Sequence, residues 1–300
     1  MERRDFLTTV PALAALSSFK TLRSELPISC NTYNWVTFFR RAGKEWGKDI
    51  SSDIIEFSKC GISAIEPNIE SVAMGRALIP ILKANNIQMP SVYVNSVLHE
   101  KAEVEKSIDL ILDIAKLIKP LGTKILVTNP SPIQWGGKEI KTDAQLSIQA
   151  EALNRLGAKL KEMDITLAYH THDMEMLAGA REFHHMLQNT ESKNMSFCFD
   201  LHWIYRGSQN SELAVFDVLK MYADRIVELH LRQSKQGVWQ ETFSATGDID
   251  YTRVANELAK RDIHPHLVIE QCIEKDTPHK LDVISAHKED HQEVKRIFNN

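Results

Sequence analysis

No apolar run in this chain approaches the roughly 20 residues that a membrane-spanning helix needs, so helical insertion into a bilayer is not expected. Charge of one sign is never concentrated. The 36 basic and 40 acidic residues give a formal charge of -4 without any long single-sign block, which argues against a surface built to neutralise nucleic-acid phosphates. A small molecule is the expected partner. No glycine-rich phosphate loop follows the first candidate strand, which argues against a doubly wound nucleotide-binding sheet and leans away from a phosphorylated substrate. Cysteine is scarce as well. Cys30, Cys60, Cys198 and Cys272 form no C-x-x-C pair and sit in or beside apolar runs, so they read as small buried hydrophobes.

What the chain does contain is a repeat of short apolar runs. Those at 165–170, 195–200, 225–230 and 266–270 end in His170, Asp200, His230 and Glu270, each a residue able to bind a divalent metal. Further runs at 28–33, 62–66, 87–94 and 124–128 bring the candidate strands to eight. Short runs separated by helix-like stretches read as buried parallel strands. Between them, Val104, Ile108, Ile111, Ala115 and Ile118 fall on one helical face, with Pro120 and Gly122 as a stop. Thr142 and Gln145 form a capping box for a helix with Leu146, Ala150, Leu153, Leu156 and Leu160 on its inner face. Asp250 caps a helix carrying Val254 and Leu258. Eight β-then-α units predict a single-domain α/β fold, a (β/α)8 TIM barrel over residues 26–300.

Residues 1–25 read separately. Arg3 and Arg4, followed by Phe6-Leu7 and a mainly apolar stretch from 10 to 16, resemble a twin-arginine export signal. That points to the bacterial periplasm; the other reading is a flexible tail on a cytoplasmic protein.

A barrel of this type carries its chemistry on the rim at the carboxyl ends of the strands, where the four ligand-type residues would meet. One His or Asp at a strand end is usually a loop hydrogen-bonder, but four in register after consecutive strands form a candidate metal site. Two imidazoles and two carboxylates suit manganese, cobalt, iron or zinc better than magnesium or calcium. Such a site leaves positions for the vicinal oxygens of a sugar, polarises a carbonyl and stabilises an enediolate.

The segments LAYHTHDME at 167–175, FDLHW at 199–203, ELHLR at 228–232, GDID at 247–250 and VIE at 268–270 resemble, in order and spacing, the sugar phosphate isomerase/epimerase-like proteins with the xylose isomerase-like TIM barrel. This group also includes inosose dehydratases and relatives of endonuclease IV. The resemblance covers about residues 28–300 and implies one divalent metal held by His170, Asp200, His230 and Glu270. Family members are often dimers or tetramers, so a homo-oligomer is also implied. In the first ligand position the usual epimerase pattern has Glu, and here it has His170. A metal-bound imidazole is a poor base, so proton transfer on that side falls to His172 or Glu175, while Glu270 acts as both ligand and base.

Around this centre, Trp35, Trp135 and Trp203, with Tyr205, are candidate sugar-stacking residues. Glu66 and His99 are candidate hydrogen-bonders to substrate, and Arg232 is placed to hold an anionic oxygen or hydroxyl. Asn31 and Tyr33 are weaker candidates. His184-His185 reads as a solvated helix face, and His279, His287 and His291 as an exposed carboxyl-terminal helix.

The first functional expectation is therefore a divalent-metal-dependent sugar isomerase or epimerase that abstracts a proton next to a carbonyl. The alternative is a lyase or dehydratase eliminating from a 3-ketosugar or 3-keto-glycoside. A non-catalytic sugar-binding barrel is a third reading. DNA repair, by relation to endonuclease IV, would require three metals and a basic cleft, and the sequence displays neither.

Overall fold

The computed structural model describes residues 26–298, so the export-signal expectation lies outside the described residues. Eight strands, β1 (Ser29–Asn31), β2 (Ala64–Glu66), β3 (Ser91–Tyr93), β4 (Ile125–Thr128), β5 (Thr166–Tyr169), β6 (Met195–Asp200), β7 (Ile226–Leu231) and β10 (His266–Ile269), build one sheet. Its order is β2-β1-β10-β7-β6-β5-β4-β3, and every pairing is parallel. Isolated bridges from Ala64 to Gln88 and from Asn68 to Tyr93 span the seam between β2 and β3, giving a nearly closed ring. A two-stranded antiparallel hairpin, β8 (Ser234–Lys235) and β9 (Val238–Trp239), is added after β7.

The eight barrel strands lie where the apolar runs predict, though most are shorter. β1 stops at Asn31 because that side chain accepts a hydrogen bond from the Tyr33 amide and caps the helix Thr32–Arg41. Tyr33 thus belongs to a helix, not to a strand. The capping box at Thr142 and Gln145 forms as expected on Asp143–Lys161, burying Leu146, Ala150, Leu153, Leu156 and Leu160. The helix Val104–Ile118 runs into a 3-10 turn, and Gly122 ends it at φ +83, a left-handed conformation that glycine adopts without strain. Asp250 accepts from the Arg253 amide and caps Tyr251–Ala259.

Most apolar side chains fill the layer between strands and helices, from Ile54 and Phe57 to Leu153, Phe197 and Val254. Alternate residues point inside the barrel. On the β3-to-β6 side these are Tyr93, Ile125, Val127, Ala168 and Cys198, a small apolar cluster. The β7, β10, β1 and β2 side carries Glu228, His266, Ser29 and Glu66 instead, all buried. All four cysteines are free and buried, as expected of small hydrophobes.

The carboxyl-terminal helix Val283–Phe298 corrects one expectation. His287 is fully buried, its ring centroid 5.3 Å from that of Trp35 and 5.4 Å from that of Phe38, with Nδ1 bonded to the Val283 carbonyl. The turn of helix expected to be exposed packs against the barrel's aromatic layer. No helix among the described residues is long and apolar enough to cross a membrane.

Candidate active site

The strand period explains how the site assembles. Ala168 and His170, Cys198 and Asp200, and Glu228, His230 and Arg232 have the same parity, so each series climbs the inner wall to the rim. Asp200 and His230 are register partners on β6 and β7, and His230 pairs across with Val268, two residues before Glu270. One ligand atom from each of His170, Asp200, His230 and Glu270 can be chosen so that all lie within 4.8 Å of one another.

Local contacts orient these donors. Asp200 caps the helix Leu201–Gly207 through Oδ1, which accepts from the amides of His202 (2.9 Å) and Trp203 (3.0 Å). Its Oδ2 is left to the site, 3.6 Å from His170 Nε2. His230 Nδ1 lies 2.6 Å from Glu270 Oε2, and the Glu270 amide donates to the Leu231 carbonyl. His170 Nδ1 is 3.4 Å from the Tyr93 hydroxyl.

The donor set fits a divalent metal. His170 Nε2 and Asp200 Oδ2 are buried and make no hydrogen bond. Buried polar atoms are costly to leave unmatched, and convergent orphans of this kind are what a metal site presents. Arg232 competes for part of the same charge. Its Nε is 3.0 Å from Asp200 Oδ2 and its Nη2 2.5 Å from Glu270 Oε2, while the guanidinium lies 5.1 and 5.2 Å from the ring centroids of Trp203 and Trp239. Burial pushes the Asp200 carboxyl up, but Arg232 and then His170 outweigh it and hold it below its ordinary value. Burial likewise opposes ionisation of Glu270, and Arg232 with His230 lowers it. Arg232 was expected to face substrate; it is bound to the two carboxylates.

His172 lies beside this centre. Its ring centroid is 4.9 Å from that of His170, 5.0 Å from that of Trp135 and 5.1 Å from that of Trp203, and its Nδ1 is buried without a hydrogen bond. Burial, then the neighbouring His170 and Arg232, holds its pKa well below the ordinary histidine value, which makes it a neutral imidazole. Trp135 is 53% exposed and Trp203 half-buried, so both tryptophans border the rim as expected.

Four expected site residues are placed differently. Glu175 has both oxygens engaged, Oε1 by Asn129 Nδ2 (2.9 Å) and Oε2 by the His172 amide (2.7 Å), because the 3-10 turn Met174–Met176 folds it underneath the loop. It braces His172 instead of facing the site. Burial, and then Glu182, pushes its pKa up to about 7. Trp35 is fully buried against Phe39, Trp46, Phe57 and His287, at centroid distances of 5.3 to 5.9 Å. It is a core residue. Glu66 is fully buried below His230, held by Asn31 Nδ2 (2.7 Å) and Ser91 Oγ (2.9 Å). Burial and the neighbouring Glu228 push it up to about 7. His99 is 5% exposed beside Glu100, and burial, then Lys141, lowers its pKa; it belongs with the Lys141–Glu182 anchor of the loop after β4.

The β8–β9 hairpin was missed in the sequence. It brings Trp239 within 4.9 Å of His202 and 5.7 Å of Trp203, centroid to centroid. Ser234 Oγ joins His202 Nε2 (2.8 Å) to Asp248 Oδ2 (2.6 Å), and Asp248 also accepts from the amides of Gln236 and Gly237 in the turn. Those two residues have φ of +53 and +76, the two-residue turn favoured in hairpins, and Gln-Gly between Lys235 and Val238 was its one legible signal.

Comparison with known proteins agrees with this architecture. Inosose dehydratase from Clostridium perfringens is 24% identical over 65% of this chain and 73% of its own length. The inosose dehydratase of Mesomycoplasma hyopneumoniae is 26% identical over 75% of this chain and 83% of its own. Among solved structures, a sugar phosphate isomerase/epimerase from Parabacteroides distasonis superposes with a TM-score of 0.68 at 16% identity, covering 94% of this chain and 97% of that one. D-psicose 3-epimerase from Clostridium cellulolyticum gives 0.65 at 12% identity, covering 91% and 99%. The family described as xylose isomerase-like TIM barrel matches residues 54–292, and the chain belongs to it.

Proposed function

We propose that this protein is a divalent-metal-dependent enzyme that removes a proton next to a carbonyl in a sugar or sugar derivative. The observation that carries this reading is the convergence of His170, Asp200, His230 and Glu270 beside a neutral imidazole with a free ring nitrogen. His170, Asp200, His230 and Glu270 would hold the divalent ion, which would supply Lewis acidity to a carbonyl and an adjacent hydroxyl. His172 Nδ1 takes the proton, and the Glu175 carboxylate holds the His172 backbone in place for that transfer. Arg232 keeps Asp200 and Glu270 ionised, and Trp135 and Trp203 offer ring faces to the apolar side of a sugar.

The fate of the resulting enediolate separates two reactions. Epimerisation through carbanion chemistry draws on a second acid/base group on the opposite face of the carbon. Glu175 is turned away, and Glu270 is bound by both Arg232 and His230. That leaves His172 as the free group and favours elimination of water or another leaving group from a ketosugar, which needs no second base. The similarity to inosose dehydratases supports the same preference. Isomerisation or epimerisation is the second reading: the solved structures of similar fold include D-psicose 3-epimerase and L-ribulose 3-epimerase, and Glu270 is the residue available as its second base.

Elemental analysis of the purified protein, paired with incubation in heavy water against free sugars, inososes and 3-keto-glycosides, tests the proposal. Deuterium at a carbon beside a carbonyl is expected, with a product lighter by water or an aglycone for elimination and of conserved mass for isomerisation. Saturable sugar binding without any exchange, after metals are restored, would replace the enzyme with a binding barrel. His172→Asn is expected to lower kcat on the order of a hundredfold or more with little change in KM, and an unchanged rate removes His172 from the proton path.

A further inference from the structure

The charged side of the barrel interior gathers a second set of donors below the rim. Cys198 Sγ is 3.5 Å from Glu228 Oε1, which is 3.4 Å from His230 Nε2. Glu66 Oε1 borders them at 3.0 Å from the same nitrogen. Donor atoms of Cys198, Glu228 and His230 all fit within 4.8 Å of one another, and all four residues are fully buried.

Hydrogen bonding accounts for only part of this group: the Cys198 thiol donates to Glu228 Oε1, and Asn31 donates to Glu66 Oε1. His230 Nε2 sits close to two carboxylates, yet it makes no directed hydrogen bond to either. His230 Nε2 is thus left with ion-pair contacts and no hydrogen bond of its own, as a nitrogen available to a cation would be. A tetrahedral zinc ion, with bonds of about 2.0 to 2.3 Å, spaces its nitrogen and oxygen ligands about 3.4 Å apart and a sulfur and an oxygen about 3.6 Å apart. The separations of 3.4 and 3.5 Å from Glu228 Oε1 match those edges.

The carboxylates are also braced from behind, as metal ligands are. Glu228 Oε2 is 2.7 Å from His266 Nδ1, and His266 Nε2 is 3.0 Å from Ser29 Oγ. Ser91 donates to the second oxygen of Glu66.

We infer that Cys198, Glu228 and His230, bordered by Glu66, form a deep site for a thiophilic divalent cation such as zinc, separate from the rim and sharing His230 with it. The ring presents Nδ1 to Glu270 at the rim and Nε2 to the deep donors. A neutral imidazole has one lone pair, so the rim and the deep site draw on it in competition. Thiolate softness favours zinc below, and the sulfur-free rim accepts harder ions.

Cobalt(II)-loaded and zinc-loaded full-length protein tests the inference. The cobalt form is expected to show a near-ultraviolet thiolate-to-cobalt band that Cys198→Ser abolishes and that Asp200→Asn and Cys272→Ser leave in place. X-ray absorption of the zinc-loaded wild type, which needs no variant to fold, is expected to find one sulfur neighbour at about 2.3 Å. A zinc shell of nitrogen and oxygen alone, a band surviving Cys198→Ser, or a band lost in Cys272→Ser overturns the deep site. Metal bound without sulfur and lost in Asp200→Asn would leave the rim site standing and remove only the deep one.

Discussion

Trp35 and Trp203 lie near the starts of corresponding helices in two β-then-α units, four residues after the cap in the first and three in the second, so about one helical step of 100° separates the directions they take. Each helix starts at the barrel mouth and is capped by the last residue of its strand, Asn31 in β1 and Asp200 in β6. Their surroundings differ. The helix Thr32–Arg41 is ten residues long and lies under the carboxyl-terminal helix, so Trp35 is sealed among Phe39, Trp46, Phe57 and His287. The helix Leu201–Gly207 has seven residues, and Trp203 is met by His172, Arg232 and Trp239 of the added hairpin. A tryptophan after a strand becomes core or site according to the helix face it takes and what is laid over that face.

Four substitutions probe that contrast. Asp200→Ala removes a cap and a candidate ligand together, and is expected to strip the rim metal and cost roughly a thousandfold or more in turnover. Asn31→Ala removes the corresponding cap together with the buried hydrogen bond to Glu66, and is expected to cost about 2 kcal/mol of stability while leaving the rim metal in place. Full occupancy in Asp200→Ala, measured by elemental analysis, would erase the distinction. Next, Trp35→Ala is expected to destabilise the protein by about 3 to 5 kcal/mol in urea unfolding. Trp203→Ala should cost much less stability and raise KM; similar stability losses in the two would break the comparison.

His287, the neighbour that seals Trp35, gives the pH dependence. Burial holds its pKa down to about 4, against about 6.5 for an unfolded histidine. The native state therefore binds the proton less well, and stability present above about pH 6.5 is lost as pH falls towards 4, by up to about 3 kcal/mol. His287→Phe is expected to flatten that slope in denaturation series at successive pH values; an unaltered slope would assign acid sensitivity elsewhere. The smallest effect belongs to Trp135→Ala. With the ring 53% exposed, it should change stability by no more than about 0.5 kcal/mol while weakening sugar binding in calorimetry.

The barrel strands and the four clustered ligand-type residues were legible because both follow from local pattern. An apolar run marks a buried strand, and parity carries Cys198 to Asp200 and Glu228 to His230 on one wall. Depth and coverage were not legible. Glu66 ends β2 and pairs with Asn31, yet it lies below His230, because the tilt and stagger of barrel strands put their ends at different heights. His287 looked solvent-facing because its helix is polar, and only the tertiary fold reveals that Trp35 and Phe38 cover it. Glu175 was misread because a carboxylate in a catalytic-looking motif carries no mark of the amide and the Asn129 side chain that occupy it.

The β8–β9 hairpin leaves the barrel after β7 and is fastened by Asp248 before the helix Tyr251–Ala259 begins. The packing behind Trp203 and Arg232, including Trp239, is thus supplied by a short hairpin that contributes no barrel strand. On the proposed function, replacement of residues 234–248 is expected to alter which sugar is bound while every barrel strand pairing stays intact.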